Sequence, residues 1–471
     1  MADASPPEHT PLSPQTMRVY GAGKRFLRQF FGLSPAETAQ RSLVIAFWRS
    51  AIGLFIALRL ADGINAITGL WVIPSQLPSG QLGAVLPLLQ IGAVLAIPVS
   101  IFAMVFTRHL CAYAVSGDSE RTRGLLRDAL VAVLLTLLIA LLLAAVLMPW
   151  VCRLLRIAPS AAGYLTVGYG LLAAFAPMAW AALQALRRFG ALSTGALLAA
   201  PLRLAAMVLL LPGLGLSGYF IAQSLPSAVM IAIALLVLRP LLKQSRQTPW
   251  MAWRNDLKAM LHYAAFIALG AVAAAIQGMV ITVVIRHRLS DELSGAYYLL
   301  SRFAEIATYS GTTLATVLFP FALEARLKGL SSGAFRAGVM SFILLLGGGL
   351  AALFYWLLPW FFTLVPGFSD YIGYAAPAAY LTLTTTLNAA STLYFTHAAA
   401  EDCFTYLRFS LPCALLSSLL LWALGCDTLM SILHLLFITA ALQFAGCLID
   451  AALAARRKRN PAHPAGQDRP L

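Results

Sequence analysis

Long apolar stretches recur along the chain, separated by short polar turns. The first, at 43–71, reads LVIAFWRSAIGLFIALRLADGINAITGLW. At about 1.5 Å of rise per residue it is long enough to cross a bilayer core of about 30 Å as a helix. Comparable spans lie near 83–107, 129–151, 162–185, 190–212 and 216–238. After a polar break they resume near 260–285, 294–323, 338–364, 371–396, 406–424 and 430–453. The pattern predicts twelve transmembrane helices in an all-α polytopic membrane protein. Pro and Gly stand inside several spans, among them Pro98, Pro177, Pro201, Pro226, Pro377, Pro412 and the run 347–349. Membrane helices tolerate these residues where neighbours or a cavity satisfy the freed backbone groups.

Composition agrees. Apolar residues make up 60% of the chain and charged residues 11%, with a mean hydropathy of +0.81. A soluble domain carries about 25% charged residues. The N-terminal stretch 1–16 is polar and Pro-rich, without the apolar core of a signal peptide. Residues 18–31 mix Lys24, Arg25 and Arg28 with Phe26, Leu27, Phe30 and Phe31, a pattern that suits either a short surface helix on anionic lipid or a basic tail. Ser34-Pro35-Ala36-Glu37 reads as a capping box at the start of the first spanning helix.

The net charge of +15 changes the picture through its distribution. One alternate set of loops holds Arg108, Arg121, Arg123, Arg127, Arg187, Arg188, Arg239, Lys243, Arg246, Arg254, Lys258, Arg326, Lys328, Arg336 and Arg408, besides both tails. The other set holds only Arg153, Arg156, Arg286 and Arg288. Basic loops stay in the cytoplasm. Both termini are therefore expected there, and the charge reads as topology rather than nucleic-acid binding. The division follows: a cytoplasmic tail at 1–42, an N-lobe at 43–238, a cytoplasmic linker at 239–259, a C-lobe at 260–455 and a basic tail at 456–471.

Charges inside the spans carry the candidate chemistry, because each costs about 2.5 kcal/mol or more in hydrocarbon unless it is paired or wetted. Arg59, Asp62 and Asn65 fall on one helical stripe at i, i+3, i+6. Arg203 stands mid-span with no acid within a turn, and Gln277 is central in its own span. Arg302 and Glu305 are spaced i, i+3, with Tyr309 on the same stripe, and Gln90 is the first-lobe counterpart of Arg302. Two readings stay open: local pairs that merely neutralise each other, or the wall of a polar path. Guanidinium binds phosphate bidentately and stays charged in poor solvent, so a surplus of intramembrane Arg suits an anionic lipid head. Asp62 and Glu305, as the carboxylates well inside the membrane, are the coupling candidates.

Enzyme readings find little support. The His residues show no HExxH spacing, the Cys residues no CxxC, and no phosphate-cradling Gly-rich loop is present. No catalytic residue, metal site or cofactor is expected. Cys152 and Cys426 fall near the outer face as a conceivable pair, with plain thiols the simpler reading.

The two halves also resemble each other. Leu147-Met148-Pro149-Trp150 recurs as Leu357-Leu358-Pro359-Trp360, and Gly163-Tyr164 as Gly373-Tyr374, both at an offset of 210 residues. Leu82-Gly83-Ala84 is matched by Ser294-Gly295-Ala296 at an offset of 212. Such repeats place substrate between the lobes. Residues 293–323, with Gly-x-Tyr at one end, Arg302 within and Phe319-Pro320 at the other, look like the eighth helix of the Wzx-type lipid-linked oligosaccharide flippases. The stretch 182–223, with ALQALRRFG, Pro201, Arg203 and GLGLSGYFIAQ, is similar to their fourth-to-sixth helix region. FTRHL at the end of the second span fits as well. These flippases belong to the multidrug/oligosaccharidyl-lipid/polysaccharide (MOP) exporter superfamily.

The resemblance, over roughly 43–455, implies two six-helix lobes around a central cavity that alternates access. It also implies a polyprenyl-diphosphate-linked oligosaccharide as cargo, flipped across the bacterial inner membrane. Arg59, Asp62, Arg203, Gln277, Arg302 and Glu305 are then the cavity candidates. Partners would be the bilayer, the lipid-linked glycan and glycan-assembly proteins such as a polymerase. Two alternatives stay open: a MATE-like cation, drug or other lipid exporter of the same superfamily, and a non-transporting membrane component of a polysaccharide assembly complex.

Overall fold

The computed structural model describes residues 35–77, 99–154, 161–245, 248–364, 369–424 and 428–459, and there the predicted spans are helices. In order they are α1 (Pro35–Ile67), α2 (Val99–Ser116), α3 (Ser119–Leu154), α4 (Ala161–Ala185), α5 (Phe189–Gln244), α6 (Leu257–Arg288), α7 (Asp291–Leu327), α8 (Gly333–Leu364), α9 (Ala375–Ala400), α10 (Leu407–Ala423) and α11 (Leu429–Arg459). The chain is an all-α polytopic membrane protein. Among the described residues, eight helices are long and apolar enough to cross a membrane. The proposed surface helix at 18–31, Ser34 of the capping box, Gln90 and Leu82-Gly83-Ala84 lie outside the described residues.

Two departures from straight helix have sequence causes. Past Ile67, α1 passes through a π turn at Thr68–Val72 before one last turn at Ile73–Gln76, whose Pro74 can donate no backbone bond. In α5 the two predicted spans at 190–212 and 216–238 run on as one element, broken at Gly215. There φ is 51° and ψ is −129°, open only to glycine. The two arms fold so closely that a Cβ on Gly218 would run into the Leu210 carbonyl oxygen.

Helix α9 shows how polar residues sit in an apolar bundle. Its threonines return their hydroxyls to their own helix: Thr382 to the Ala378 carbonyl at 2.8 Å, Thr384 to Tyr380 at 3.0 Å and Thr386 to Thr382 at 2.6 Å. So satisfied, α9 is buried among α7, α8 and α11. Small residues set the spacing. A Cβ on Gly347 would collide with the Thr386 hydroxyl, and one on Gly311 would meet Ala389 Cβ at 2.8 Å.

The basic turns gather at one end, called here the charged end. The largest apolar core lies there and joins the two halves of the chain. Phe47, Leu110, Leu183 and Leu192 of the first half meet Val317, Phe319, Phe335 and Leu393 of the second. The stretch proposed as a linker is held there against the first half. Arg127 donates to the carbonyls of Ser245 (3.0 Å), Thr248 (2.6 Å) and Pro249 (3.1 Å), and lies 4.0 Å from the Trp250 ring. Asp128 accepts from the Met251 backbone at 2.9 Å and Trp253 Nε1 at 3.0 Å. Asp256 accepts from the Tyr113 hydroxyl at 2.5 Å and from Arg121 at 3.2 Å.

Four helices end at this face in the same reversal. After α2, α4, α7 and α9 one residue turns left-handed: Gly117 (φ 77°), Arg187 (φ 54°), Gly329 (φ 68°) and Asp402 (φ 56°). In each, the next amide bonds back to a carbonyl five residues earlier: Asp118 to Tyr113, Arg188 to Leu183, Leu330 to Ala325 and Cys403 to Ala398. Glycine takes this conformation freely; other L-residues lose roughly 1–2 kcal/mol there.

Candidate functional site

A cavity of about 640 Å³ opens beyond the apolar core. Most of its wall comes from the first half: Asp62 and Asn65 of α1, Ser100 and Thr107 of α2, Pro177 and Gln184 of α4, Ala199 of α5 before its break, and Pro226 and Ser227 after it. The second half closes one side with Thr316 and Phe319 of α7 and Thr396 of α9. Small residues make the space. Ala61, Ala196 and Ala200 form a close α1–α5 contact.

The polar stripe of α1 organises this wall. Asp62 pairs with Arg59 at 2.9 Å, and Arg59 also reaches Thr313 Oγ1 of α7 at 3.3 Å. That contact ties the first half to the second beside the cavity. One turn further, Asn65 Oδ1 accepts from Arg203 at 2.9 Å. Arg203 lies one turn along α5 from the cavity-lining pair Ala199 and Ala200. Among the described residues it has no carboxylate partner, and its Nε is buried without a hydrogen bond. The one charged group on the cavity wall among the described residues is Asp62.

The structure thus brings Arg59, Asp62 and Arg203 together around Asn65 and separates the other candidates from them. Gln277 donates to Ser417 at 2.8 Å and joins α6 to α10, outside the cavity lining. Glu305 accepts from Tyr309 at 3.0 Å on α7, again outside the lining. The side chain of Arg302 lies outside the described residues, as do those of Cys152 and Cys426. Asn65 stood on the stripe read as a possible polar path but, carrying no charge, was not among the cavity candidates. Its place on the Arg59–Asp62 stripe was the available signal; its partner on another helix was invisible. Thr313, Gln184 and Ser227 gave no signal, since isolated polar residues in apolar helices usually bond their own backbone.

No protein-family model matches the sequence, and no curated protein matches it. Solved structures do. The chain is similar to a point mutant of the Vibrio cholerae MATE transporter VcmN, with a TM-score of 0.70 at 16% identity over 89% of this chain and 98% of that one. The fold is a MATE fold. A second MATE structure, also of a point mutant, gives a TM-score of 0.69 at 14% identity over 92% of this chain and 99% of that one. An outward-facing multidrug resistance MATE family transporter of the MOP superfamily gives 0.68 at 12% identity, covering 92% and 97%. At such identities the likeness extends to the fold and stops there. The repeat motifs fall at similar places in it: Pro149 and Pro359 near the ends of α3 and α8, Tyr164 in the first turn of α4 and Tyr374 just before α9.

Proposed function

We propose that this chain is a transporter of the MOP superfamily rather than an enzyme, and that it flips a lipid carrying a glycan on a diphosphate. The reading places the charged end in the cytoplasm, because basic loops are retained there. The lobes, 43–238 and 260–455, rock about the cavity in the inner membrane, and glycan-assembly proteins receive the product.

One observation carries the choice of cargo. Arg203 is half-buried with its Nε enclosed and carries a permanent positive charge, which its hydrogen bond to Asn65 leaves uncompensated. An unpaired guanidinium in poor solvent stabilises an anion strongly, and its fork matches two phosphate oxygens. In this account Asn65 orients Arg203 from the cavity wall, and Arg59 stays with Asp62. The sugar occupies the small-residue cavity, while the polyprenyl tail remains in lipid.

A second reading, a MATE-like cation exporter, is favoured by Asp62 as the charged group on the wall. Proteoliposomes separate the two. Under the flippase reading, a diphosphate-linked disaccharide lipid becomes accessible to an impermeant lectin on the far leaflet, and ethidium efflux stays at background. Ethidium efflux without lipid flipping would select the cation exporter.

A further inference from the structure

Among the described residues, two ion pairs join the halves at the charged end, and both run in the same direction. Arg108 of α2 meets Asp402 after α9 at 2.5 Å. Arg187 after α4 meets Glu324 of α7. The first half supplies both cations and the second both acids. Each pair follows the cavity wall closely along its own elements: Thr107 lines the cavity beside Arg108, Gln184 one turn before Arg187, Phe319 before Glu324 and Thr396 before Asp402. All four residues thus lie between the cavity lining and the charged end along their own elements.

The partners are unevenly shared. Asp402 also binds Arg326 at 2.5 Å, and Glu324 also binds Lys328, both within the second half. If the halves part, both acids keep a cation. The two arginines keep none of these contacts. Arg108 lies 4.2 Å from the Tyr263 ring, while Arg187 lies 4.3 Å from the Phe321 ring and donates to the Pro320 carbonyl at 3.1 Å. All of these belong to the second half. Opening therefore leaves two guanidiniums at the mouth without their charge partners.

Backbone conformation marks the same residues. Of the four helix-end reversals at this face, two use Gly117 and Gly329, and the other two use Arg187 and Asp402. Glycine would fit both positions without strain; aspartate enters this region more readily than most residues, so it is Arg187 whose side chain the strained turn most clearly retains. One side chain of each pair is well protected: Arg108 and Glu324 are each 8% exposed, while their partners Asp402 and Arg187 are 21% and 28% exposed.

We propose that Arg108 and Arg187 form a docking site for the phosphate-bearing head of a lipid at the mouth of the transporter, covered in this conformation by Asp402 and Glu324. The acids and the phosphates compete for the same guanidiniums. Closing the mouth expels the head toward the cavity, and a new head pries the mouth open. The proposal rests on the flippase reading for its ligand and its side of the membrane.

The competition is measured with farnesyl diphosphate and farnesol on the full protein in phosphatidylcholine nanodiscs. A site that must open before binding has its apparent affinity reduced by the fraction of molecules that are open. Neutralising the covering acids in D402N/E324Q should therefore tighten farnesyl diphosphate binding by about tenfold and leave farnesol unchanged. R108Q/R187Q should weaken it, and adding D402N/E324Q to that variant should restore nothing. Wild type that binds farnesyl diphosphate while D402N/E324Q binds it equally or more weakly overturns the covered site and spares the flippase reading. Failure of both proteins to bind farnesyl diphosphate overturns both. Displacement of farnesyl diphosphate when phosphatidylglycerol replaces phosphatidylcholine would assign the site to bilayer lipid and overturn the cargo assignment.

Discussion

Arg203 and Asn65 allow a prediction with a built-in control. Two charge-assisted bonds from a guanidinium fork to a phosphate are together worth about 3 kcal/mol, or about 150-fold in rate at 1.36 kcal/mol per tenfold. Arg203→Ala should lose most of that factor in lipid flipping. Arg203→Lys keeps the charge without the fork and should lose about tenfold. The 2.9 Å bond from Arg203 to Asn65 is a single charge-assisted bond, worth about 1.5 kcal/mol. Asn65→Ala should thus cost about tenfold, through orientation alone. If Asn65 works only through Arg203, the double variant should be no worse than Arg203→Ala, because coupled residues are non-additive. The assay is the proteoliposome flipping rate, with detergent-extractable protein measured alongside. Full flipping by Arg203→Ala at normal protein level, or a double variant that multiplies the single losses, would refute the reasoning.

Three further outcomes are expected. Gly347→Ala should lower the thermal unfolding temperature in nanodiscs, since its Cβ would collide with the Thr386 hydroxyl, whereas Gly348→Ala, with nothing within 4 Å, should hold or raise it. An imposed pH gradient should alter wild-type flipping, and Asp62→Asn should remove that response more completely than Glu305→Gln, since Asp62 lines the cavity and Glu305 does not; indifference of the wild type to the gradient ends the coupling idea. Reporters fused after Gly80, Pro159 and Ser290 should read the outer side, and a cytoplasmic signal at two of them would invert the proposed topology.

The helices were legible because burial in lipid needs long apolar runs, and nothing else in the chain mimics them. Even the break in α5 was visible, since Pro212, Gly213 and Gly215 interrupt one long run. Half of the site was legible too: the Arg59–Asp62 pair is local at i, i+3, so spacing alone placed it. Partners on distant helices were not. Asn65 and Arg203 are 138 residues apart, and Arg108 and Asp402 are 294 apart. Spacing within a helix says nothing about which helix lies opposite. The same limit separated Gln277 from the cavity: mid-span depth was readable, but the face it turns toward Ser417 was not.

The clasp of Ser245 and residues 248–256 on α2 and α3 would decide where the molecule bends if its halves rock as proposed. A slack tether between two rocking bodies absorbs motion and transmits nothing. From Thr248 onward this one is tied down: its carbonyls are held by Arg127, its amide and indole by Asp128, and its last residue, Asp256, by Tyr113 and Arg121. In a rocking molecule it would travel with the first half. If the halves rock as proposed, the second half would pivot at the step between Asp256 and Leu257, where the short 3₁₀ turn becomes α6. Lengthening the segment upstream of Thr248 would leave that pivot untouched, whereas two glycines inserted after Asp256 would turn an axle into a loose joint.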